Sequence, residues 1–438
     1  DDAMGRELVS LCEHEKLFGP VAKYYARLNP EHAGNVIQEA AFRANDGRPG
    51  PVLVDIPSDM GQVECALSTE PSLVSKPRPI DKTQVEALSQ MIASSQRPAV
   101  LAGGDVIRAG AIDQLESFVE RIGAAVIINM DAHGVLPASH PRWAGIYNGS
   151  FGPNTMETEI LGKADLALII GSDTIASDMN WQSDVPTCEL IARPEYQSLA
   201  ITPRVRVNGS LKAALAQLLP HSPQQGFPES EIRSLREKIL GNFRRPARAK
   251  LAFQDIIAIM RDAVPYETVL ISETAAFIIT LNYLWPVEQP GMHYGTAGGR
   301  TMGLMLPAIL GAKLASPDTP MAGIGADGST LMRLGELEVF ARTGIAVPLV
   351  IINDGALGTM KSRQKSRGLT DYALDFHPVD IASAARACGI DGIIVETPEQ
   401  FEMAFRRALQ ADRTTLIDAR VDPQPYQDSF AATVGIPS

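Results

Sequence analysis

The sequence contains few cysteines, and their arrangement suggests neither a metal site nor a disulfide framework. The cysteines are scattered, with no C-x-x-C pair, and are Cys12, Cys65, Cys188 and Cys388. No apolar run is long enough to span a bilayer, and Asp1–Met4 does not have the pattern of a secretory signal peptide. Positive charge is also in deficit, because the net charge is −12, which argues against nucleic acid as a partner. These absences favour a cytoplasmic enzyme in a reducing compartment.

The chain is long enough and apolar enough to form several packed domains. Its 438 residues suggest two to three domains, and 45% of them are hydrophobic while 21% are charged. Short apolar runs that end in glycine or aspartate alternate with stretches of helical periodicity. This alternation predicts an α/β protein built from repeated parallel-sheet domains with helices on both faces.

Residues 321–360 form the most informative stretch, and they predict a strand, a glycine turn, a helix, a second strand and a second turn. The predicted first turn contains Gly323, Gly325, Asp327 and Gly328, and Asp354 lies in the second turn. Adjacent parallel strands place such turns at one edge of the sheet, where α/β proteins bind ligands. Two carboxylates and turn carbonyls at that edge suit a hard cation that carries a phosphate.

Two other interpretations of this stretch remain open on spacing alone. Residues 323–328 match the dinucleotide fingerprint G-x-G-x-x-G, which predicts an NAD-binding oxidoreductase. Alternatively, the stretch is an ordinary βαβ unit in which the aspartates only cap turns. An aspartate in a phosphate-binding turn repels a pyrophosphate unless a cation lies between them, so a metal site reconciles the motif with its charge.

The same residues resemble the thiamine-diphosphate motif of the acetolactate synthase and 2-oxo acid decarboxylase superfamily, in which G-D-G is followed further along by N-N. In the family the Asp, the second Asn and a nearby carbonyl bind Mg²⁺. The resemblance implies that Asp327, Asp354 and the carbonyl of Ala356 do so, with 27 positions separating the two aspartates. This sequence departs from the family by having Ala326 for Gly and Asp354 for Asn. The extra charge is expected to tighten Mg²⁺ binding and slightly disfavour the diphosphate.

A second block, residues 294–317, resembles the family's glycine-rich turn and the helix after it. Met302 lies 25 positions before Asp327, where the family places the apolar residue that bends the cofactor into a V. The carbonyl of Arg300 matches the one that accepts a hydrogen bond from the cofactor's 4′-amino group. A core position for Met302 is the alternative, since methionine is more often a packing residue.

The resemblance implies further contacts around these two blocks. The expected cofactor contacts are Met302, Gly325, Asp327, Gly328, Ser329, Asp354, Ala356, Leu357, Gly358 and Thr359. The candidate substrate contacts are Thr359, Met360, Lys361 and Gln364. Glu273 follows a predicted strand and is expected either to face the diphosphate or to cap the next helix.

The resemblance covers nearly the whole chain in three segments. Residues 1–65 resemble the C-terminal part of the family's pyrimidine-binding domain, 66–80 a linker, 81–220 a Rossmann-like middle domain, 221–250 a second linker, and 251–438 the domain that binds pyrophosphate and Mg²⁺. The family's pyrimidine-activating glutamate lies earlier in the first domain, and no residue of this chain fits that role. The numbered chain is therefore expected to begin partway through that domain, and helical periodicity is expected in Leu17–Leu28 and Ala33–Ala44.

The resemblance implies thiamine-diphosphate- and Mg²⁺-dependent decarboxylation of a 2-oxo acid, with ligation to a second carbonyl compound, by a homodimer or homotetramer. The alternatives are a simple 2-oxo acid decarboxylase or 2-hydroxyacyl lyase, an NAD-binding oxidoreductase, and a non-catalytic partner chain. Some family members hold FAD or another nucleotide in the middle domain, but glycine turns such as Gly103-Gly104 more often serve as turns only. His133 and His140 lie in a loop where surface positions are expected, and Trp143 and Tyr147 are expected to pack.

Overall fold

Three parallel sheets organise the part of the chain that the structure, a computed structural model, describes. The described residues are 12–65, 78–173, 181–198, 200–218, 226–244, 250–295 and 300–426. The chain divides into two units. The first contains residues 1–80, 191–197 and 208–210, and the second contains the remainder. In the described ranges no helix is both long and apolar enough to cross a membrane.

The first unit contains a two-stranded parallel sheet. Its elements are α1 (His14–Phe18), β1 (Tyr24–Arg27), α2 (Ala33–Asn45) and β2 (Val52–Asp55), with 3₁₀ turns at Pro30–His32, Ser58–Gln62 and Pro194–Tyr196. The helix predicted over residues 17–28 is wrong, because α1 ends at Phe18 and the chain continues into β1. Tyr24 to Arg27 pair residue by residue with Val52 to Asp55. This ladder, formed with a strand distant in sequence, overrides the local helical periodicity.

The second unit begins with a six-stranded sheet in the order β5-β4-β3-β6-β7-β8. Its strands are β3 (Pro98–Ala102), β4 (Ala125–Ile128), β5 (Trp143–Ile146), β6 (Leu166–Ile170), β7 (Thr187–Ile191) and β8 (Val205–Asn208). Its helices are α3 (Lys82–Ser94), α4 (Asp105–Arg108), α5 (Ile112–Ile122), α6 (Met156–Leu161), α7 (Leu211–Leu218) and α8 (Glu229–Phe243), with a 3₁₀ turn at Met130–Ala132. Strands β3, β4 and β6 are buried throughout, as expected for parallel strands covered on both faces.

Helix α8 lies within residues 221–250, which were expected to form a linker. Four apolar residues spaced along α8, Ile232, Leu235, Ile239 and Phe243, are buried in the core of the middle sheet. This stretch is therefore packed structure, although the predicted domain boundaries themselves stay a prediction. The expected linker at 66–80 falls mostly outside the described residues.

The second six-stranded sheet has the order β10-β9-β11-β12-β14-β13. Its strands are β9 (Val269–Ser272), β10 (His293–Tyr294), β11 (Met321–Ala326), β12 (Pro348–Asn353), β13 (Asp391–Val395) and β14 (Thr415–Arg420). Its helices are α9 (Phe253–Ala263), α10 (Ile278–Leu284), α11 (Met305–Ala315), α12 (Asp327–Leu331), α13 (Glu336–Thr343), α14 (Gly358–Ser366), α15 (Ile381–Ala387) and α16 (Pro398–Ala408). Two apolar clusters, one on each face, enclose this sheet. The predicted α/β fold with parallel sheets is confirmed.

The glycines of residues 323–328 do not form the predicted turn. Gly323 and Gly325 lie inside β11, and Gly328 lies in the first turn of α12. A Cβ added at Gly323 or Gly325 would come within 2.7 or 2.8 Å of the side chain of Met305 on α11. The two glycines therefore let α11 approach the sheet closely, a packing role that the dinucleotide interpretation does not require.

Candidate active site

Three acidic residues follow three neighbouring strands at one edge of the second sheet. Glu273 follows β9, Asp327 follows β11, and Asp354 follows β12. Strands β9, β11 and β12 are adjacent and parallel, so their carboxyl ends meet at the same edge. The chain thus places the predicted pair, Asp327 and Asp354, at the position where α/β sheets bind ligands.

The carboxylate of Asp327 connects the two loops of this edge. Its Oδ1 accepts a hydrogen bond from the backbone N–H of Gly328 at 2.7 Å, and its Oδ2 accepts one from Gly355 at 2.8 Å. Only 4% of Asp327 is exposed. Burial raises the pKa of this carboxyl, although the backbone donors oppose the rise.

Asp354 lies beside Asp327 in the loop after β12. Its Oδ1 accepts a hydrogen bond from the backbone N–H of Ala356 at 3.1 Å. Burial, and then the charge of Asp327, raise the pKa of Asp354 to about 7. A Cβ at residue 358 would overlap Asp354 Oδ2. The start of α14 can therefore approach the carboxylate closely only because residue 358 is glycine.

The donor set at this edge fits a hard divalent cation. Asp327 is buried and Asp354 is partly exposed, and two such neighbouring carboxylates repel each other when both are charged, so a cation between them is stabilising. Their oxygens, with a backbone carbonyl, are the ligands that Mg²⁺ prefers. Asp327, Asp354 and the carbonyl of Ala356 are therefore suited to hold Mg²⁺ and, through it, a diphosphate.

Glu273 is attached to a helix that lies well after it in the sequence. Its Oε2 accepts a hydrogen bond from the backbone N–H of Met305 at 3.0 Å, at the start of α11. Glu273 is buried, and burial raises the pKa of its carboxyl. Glu273 thus caps the start of α11 rather than, as had been expected, that of the next helix, α10, and its contact with a diphosphate stays a prediction.

This cap anchors the segment that carries the two residues of the second sequence block. Arg300 has a backbone φ of 48°, in the left-handed region, and Gly303 has a φ of 81°. Met302 is partly exposed, so it is not the fully buried core residue of the alternative interpretation. The neighbouring residues 296–299 lie outside the described part of the chain.

Some of the remaining expected cofactor contacts already use their polar groups in hydrogen bonds within the protein. The Ser329 hydroxyl donates to the carbonyl of Ala326 at 2.9 Å, which ties it to its own backbone. The backbone N–H of Leu357 donates to the carbonyl of Leu374 at 2.8 Å, and Ala356 forms an isolated bridge with Asp375. The loop 355–358 is thus held by a later segment of the chain.

The candidate substrate residues on α14 point to different environments. Thr359 lines a cavity between the two six-stranded sheets, and so does Arg363 of the same helix, in a segment where a Lys or Arg was expected either to bind a substrate carboxylate or to be a surface residue. Lys361 pairs with the carboxylates of Asp375 and Asp371, and Met360 is 48% exposed. The helical period of α14 explains this, because residues 359 and 363 are one turn apart on the same face.

Three polar residues of this cavity, Asn148, Asn282 and His293, escaped the sequence analysis. His133 Nε2 and Asn282 Oδ1 are 3.2 Å apart, and the rings of His133 and His293 are 4.5 Å apart. The expectation that His133 and His140 are surface residues is wrong, since both are buried. Polar residues buried between two sheets have no sequence signal, because only the packing of the sheets brings them together.

Comparison with known proteins identifies two matching family models. The central domain of thiamine pyrophosphate enzymes matches residues 85–218. The C-terminal TPP-binding domain of thiamine pyrophosphate enzymes matches residues 276–419. The second match includes Asp327, Asp354 and the cavity residues of α14, so the family region and the site geometry coincide.

Curated relatives and a solved structure agree with these models. The chain is 27% identical to the acetolactate synthase large subunit of Parasynechococcus marenigrum, over 96% of this chain and 72% of the relative. It is 24% identical to the acetolactate synthase large subunit of Lactococcus lactis, over 91% of this chain and 71% of the relative. The crystal structure of benzoylformate decarboxylase from Polynucleobacter necessarius superposes with a TM-score of 0.81 at 20% identity, covering 96% of this chain and 80% of that one. At that identity the last likeness shows the fold.

Proposed function

Since the chain belongs to the thiamine-diphosphate-dependent enzymes, we propose that it uses this cofactor with Mg²⁺ to decarboxylate a 2-oxo acid and join the product to a second carbonyl compound. The observation that carries the proposal is the Asp327–Asp354 carboxylate pair at the carboxyl ends of β11 and β12, in which the buried Asp327 accepts a hydrogen bond from Gly355, the residue after Asp354. The acetolactate synthase relatives favour ligation over simple decarboxylation.

In this proposal the chain's own residues hold and orient the cofactor. Asp327, Asp354 and the Ala356 carbonyl would hold Mg²⁺, while Met302 would pack against the cofactor and the Arg300 carbonyl would accept a hydrogen bond from its amino group. When bound there, thiamine diphosphate would supply the nucleophile and the electron sink that decarboxylation of a 2-oxo acid needs. Glu273 acts as a positioning residue, because it holds the start of α11 directly after the segment with Arg300 and Met302.

The first test is isothermal titration of thiamine diphosphate into the purified chain, with Mg²⁺ and then with EDTA. The test measures cofactor binding rather than turnover, because no residue of this chain matches the family's pyrimidine-activating glutamate. We expect binding that requires Mg²⁺ and is abolished in Asp327→Ala. The matched control, Asp318→Ala, removes an exposed carboxylate of the same sheet domain and should bind as the wild type does. Binding that survives EDTA and Asp327→Ala alike would refute the proposal.

A second readout separates the ligase from the simple decarboxylase. The protein is incubated with pyruvate, the cofactor and Mg²⁺, and the products are identified by NMR. The proposal predicts a 2-hydroxy ketone or a 2-hydroxy-2-methyl-3-oxo acid in stoichiometric excess over free aldehyde. Free aldehyde as the main product would favour the decarboxylase alternative.

A further inference from the structure

A cavity of about 140 Å³ lies between the two six-stranded sheets of the second unit. It is close in size to an engineered cavity of roughly 150 Å³ that binds benzene, so it has room for a small organic group. Met130 and Asn148 contribute from the middle sheet, and α10, β10 and α14 contribute from the other side. None of the proposed Mg²⁺ ligands lines it, which distinguishes this cavity from the metal site.

The polar wall of the cavity is built and held in place. Asn282 is 2% exposed and His293 is 8% exposed. Asn282 Oδ1 is held by His133, while His293 Nε2 and Ser272 Oγ are 2.9 Å apart. The other nitrogens, Asn282 Nδ2 and His293 Nδ1, are buried without a hydrogen-bond partner in the described part of the chain. Buried polar atoms are rarely left unsatisfied, so these two indicate a ligand that the protein alone does not provide.

The charge of the lining indicates an anionic ligand group. Arg300 and Arg363 both line the cavity, and both are exposed to solvent. Asn282 Nδ2 adds an amide donor. A planar guanidinium matches a carboxylate, with which it forms charge-assisted hydrogen bonds. The lining also includes apolar residues, among them Ile278 and Ile279, which suit a short methylene chain.

The cavity is positioned to take the far end of a substrate that reacts at the cofactor. Thr359 lines the cavity, and the residue before it, Gly358, lies against the carboxylate of Asp354. One helical turn therefore reaches from the metal site to the cavity. We infer that the cavity binds the second carboxylate of a 2-oxo dicarboxylic acid, an inference that rests on the proposed function and names its substrate class.

Binding of unreactive probes tests this inference without requiring turnover. Glutarate and pentanoate, which differ by one carboxylate, are each titrated into the full chain with thiamine diphosphate and Mg²⁺ present. A charge-assisted hydrogen bond predicts that glutarate binds at least about tenfold more tightly. Arg363→Met should abolish this preference while leaving pentanoate binding within about twofold. Equal binding of the two probes to the wild type would overturn the inference.

The chain offers a matched control for the loss of charge. Arg367→Met removes the same side chain one turn further along, at the end of α14, where the residue does not line the cavity. It should keep the preference for glutarate. If Arg363→Met and Arg367→Met behave alike, or if Arg363→Met weakens thiamine diphosphate instead of glutarate, the cavity does not recognise a substrate carboxylate.

A second variant and a kinetic readout guard against misfolding. Asn282→Leu is similar in size but lacks the amide, so it should weaken glutarate binding while circular dichroism stays that of the wild type. With active protein, the ratio of kcat/KM for 2-oxoglutarate over 2-oxohexanoate should fall at least about tenfold in Arg363→Met. The proposed function fails if thiamine diphosphate does not bind with Mg²⁺. The cavity inference fails separately, if the cofactor binds but glutarate is not preferred.

Discussion

Asp327 Oδ2 accepts a hydrogen bond at 2.8 Å from the backbone N–H of Gly355, 28 residues further along the chain. This bond joins the loop after β11 to the loop after β12, and it fixes the position of Asp354 next to Asp327. The two carboxylates are consequently pre-organised as a pair before any cation binds. This arrangement and the packing around it lead to four predictions.

Asp354→Asn should weaken Mg²⁺ binding in the presence of thiamine diphosphate. Two opposite unit charges near a protein surface attract each other by about 4 kcal/mol. The variant loses the attraction between the residue 354 carboxylate and Mg²⁺, but it also loses the repulsion between Asp354 and Asp327. We therefore expect the binding free energy of Mg²⁺ to weaken by a net of about 1–2 kcal/mol. Isothermal titration of Mg²⁺ measures it. Asp371→Asn, which removes a carboxylate near Lys361, serves as the control. Unchanged or tighter Mg²⁺ binding in Asp354→Asn would contradict the assigned metal site.

Glu273→Gln should reduce cofactor affinity as well as stability. The variant loses the negative charge that caps the start of α11, which we expect to cost about 1 kcal/mol of folding free energy and to loosen the segment with Met302. Asp380→Asn removes a comparable charge from the N-cap of α15, where the side chain accepts from Ser383 N at 2.8 Å. Thermal unfolding should fall in both variants, whereas thiamine diphosphate affinity should fall only in Glu273→Gln. Equal cofactor binding in the two would assign Glu273 a purely structural role.

Gly323→Ala should destabilise the second unit. The new Cβ would lie 2.7 Å from Met305 Sδ and 3.1 Å from Leu349 Cδ2, so we expect a loss of about 1–3 kcal/mol from overpacking. Gly311→Ala is the matched control, because a Cβ there meets nothing within 4 Å and alanine favours the interior of α11. Urea denaturation should show the first variant less stable and the second at least as stable as the wild type. A stable Gly323→Ala would mean that α11 can move away from β11.

Glu157→Gln should flatten the pH dependence of stability. Glu157 is fully buried, its Oε1 accepts from the N–H groups of Asn148 and Ser150, and burial raises its pKa above the usual 4.5. Because the folded pKa is the higher one, this residue's contribution is complete below about pH 4.5 and is lost as pH rises through the folded pKa, by about 1.4 kcal/mol per pKa unit.

The measurement compares urea midpoints of the wild type and Glu157→Gln from about pH 4 to about pH 8. The two proteins should be similar at the acidic end, which serves as the internal control, since Glu157 is protonated there. Towards the alkaline end the wild type should lose stability relative to the variant. Parallel curves across the whole range would show that Glu157 is not titrating in this window.

Much of the second unit could be predicted because its signals are local. The strand predicted at Pro98–Ala102 has those bounds in the structure, and the run predicted at residues 346–352 appears as β12, which begins two residues later and ends one residue later. Buried parallel strands are continuous apolar runs, so their sequences identify them without knowledge of their neighbours. Asp327 and Asp354 could be paired in advance for a similar reason, since each directly follows such a strand and parallel strands end at one edge.

Features that depend on distant packing were missed or misread. Gly323 and Gly325 were interpreted as a turn, but they accommodate Met305, a side chain from another helix. The expected surface position of His133 was wrong because α10 and β10 cover it with Asn282 and His293. Neither relationship leaves a periodic pattern in the chain, since each depends on how separate elements meet.

The sequence by itself determined the α/β class, the parallel strands and the family, because apolar runs and motif spacing are properties of contiguous residues. The tertiary structure alone decided which groups share an environment. It brought Glu273 to the start of α11, bound Gly355 to Asp327, and placed Asn282, His293 and Arg363 around one cavity. These are contacts between residues far apart in the chain, and only the free energy of packing the whole unit selects them.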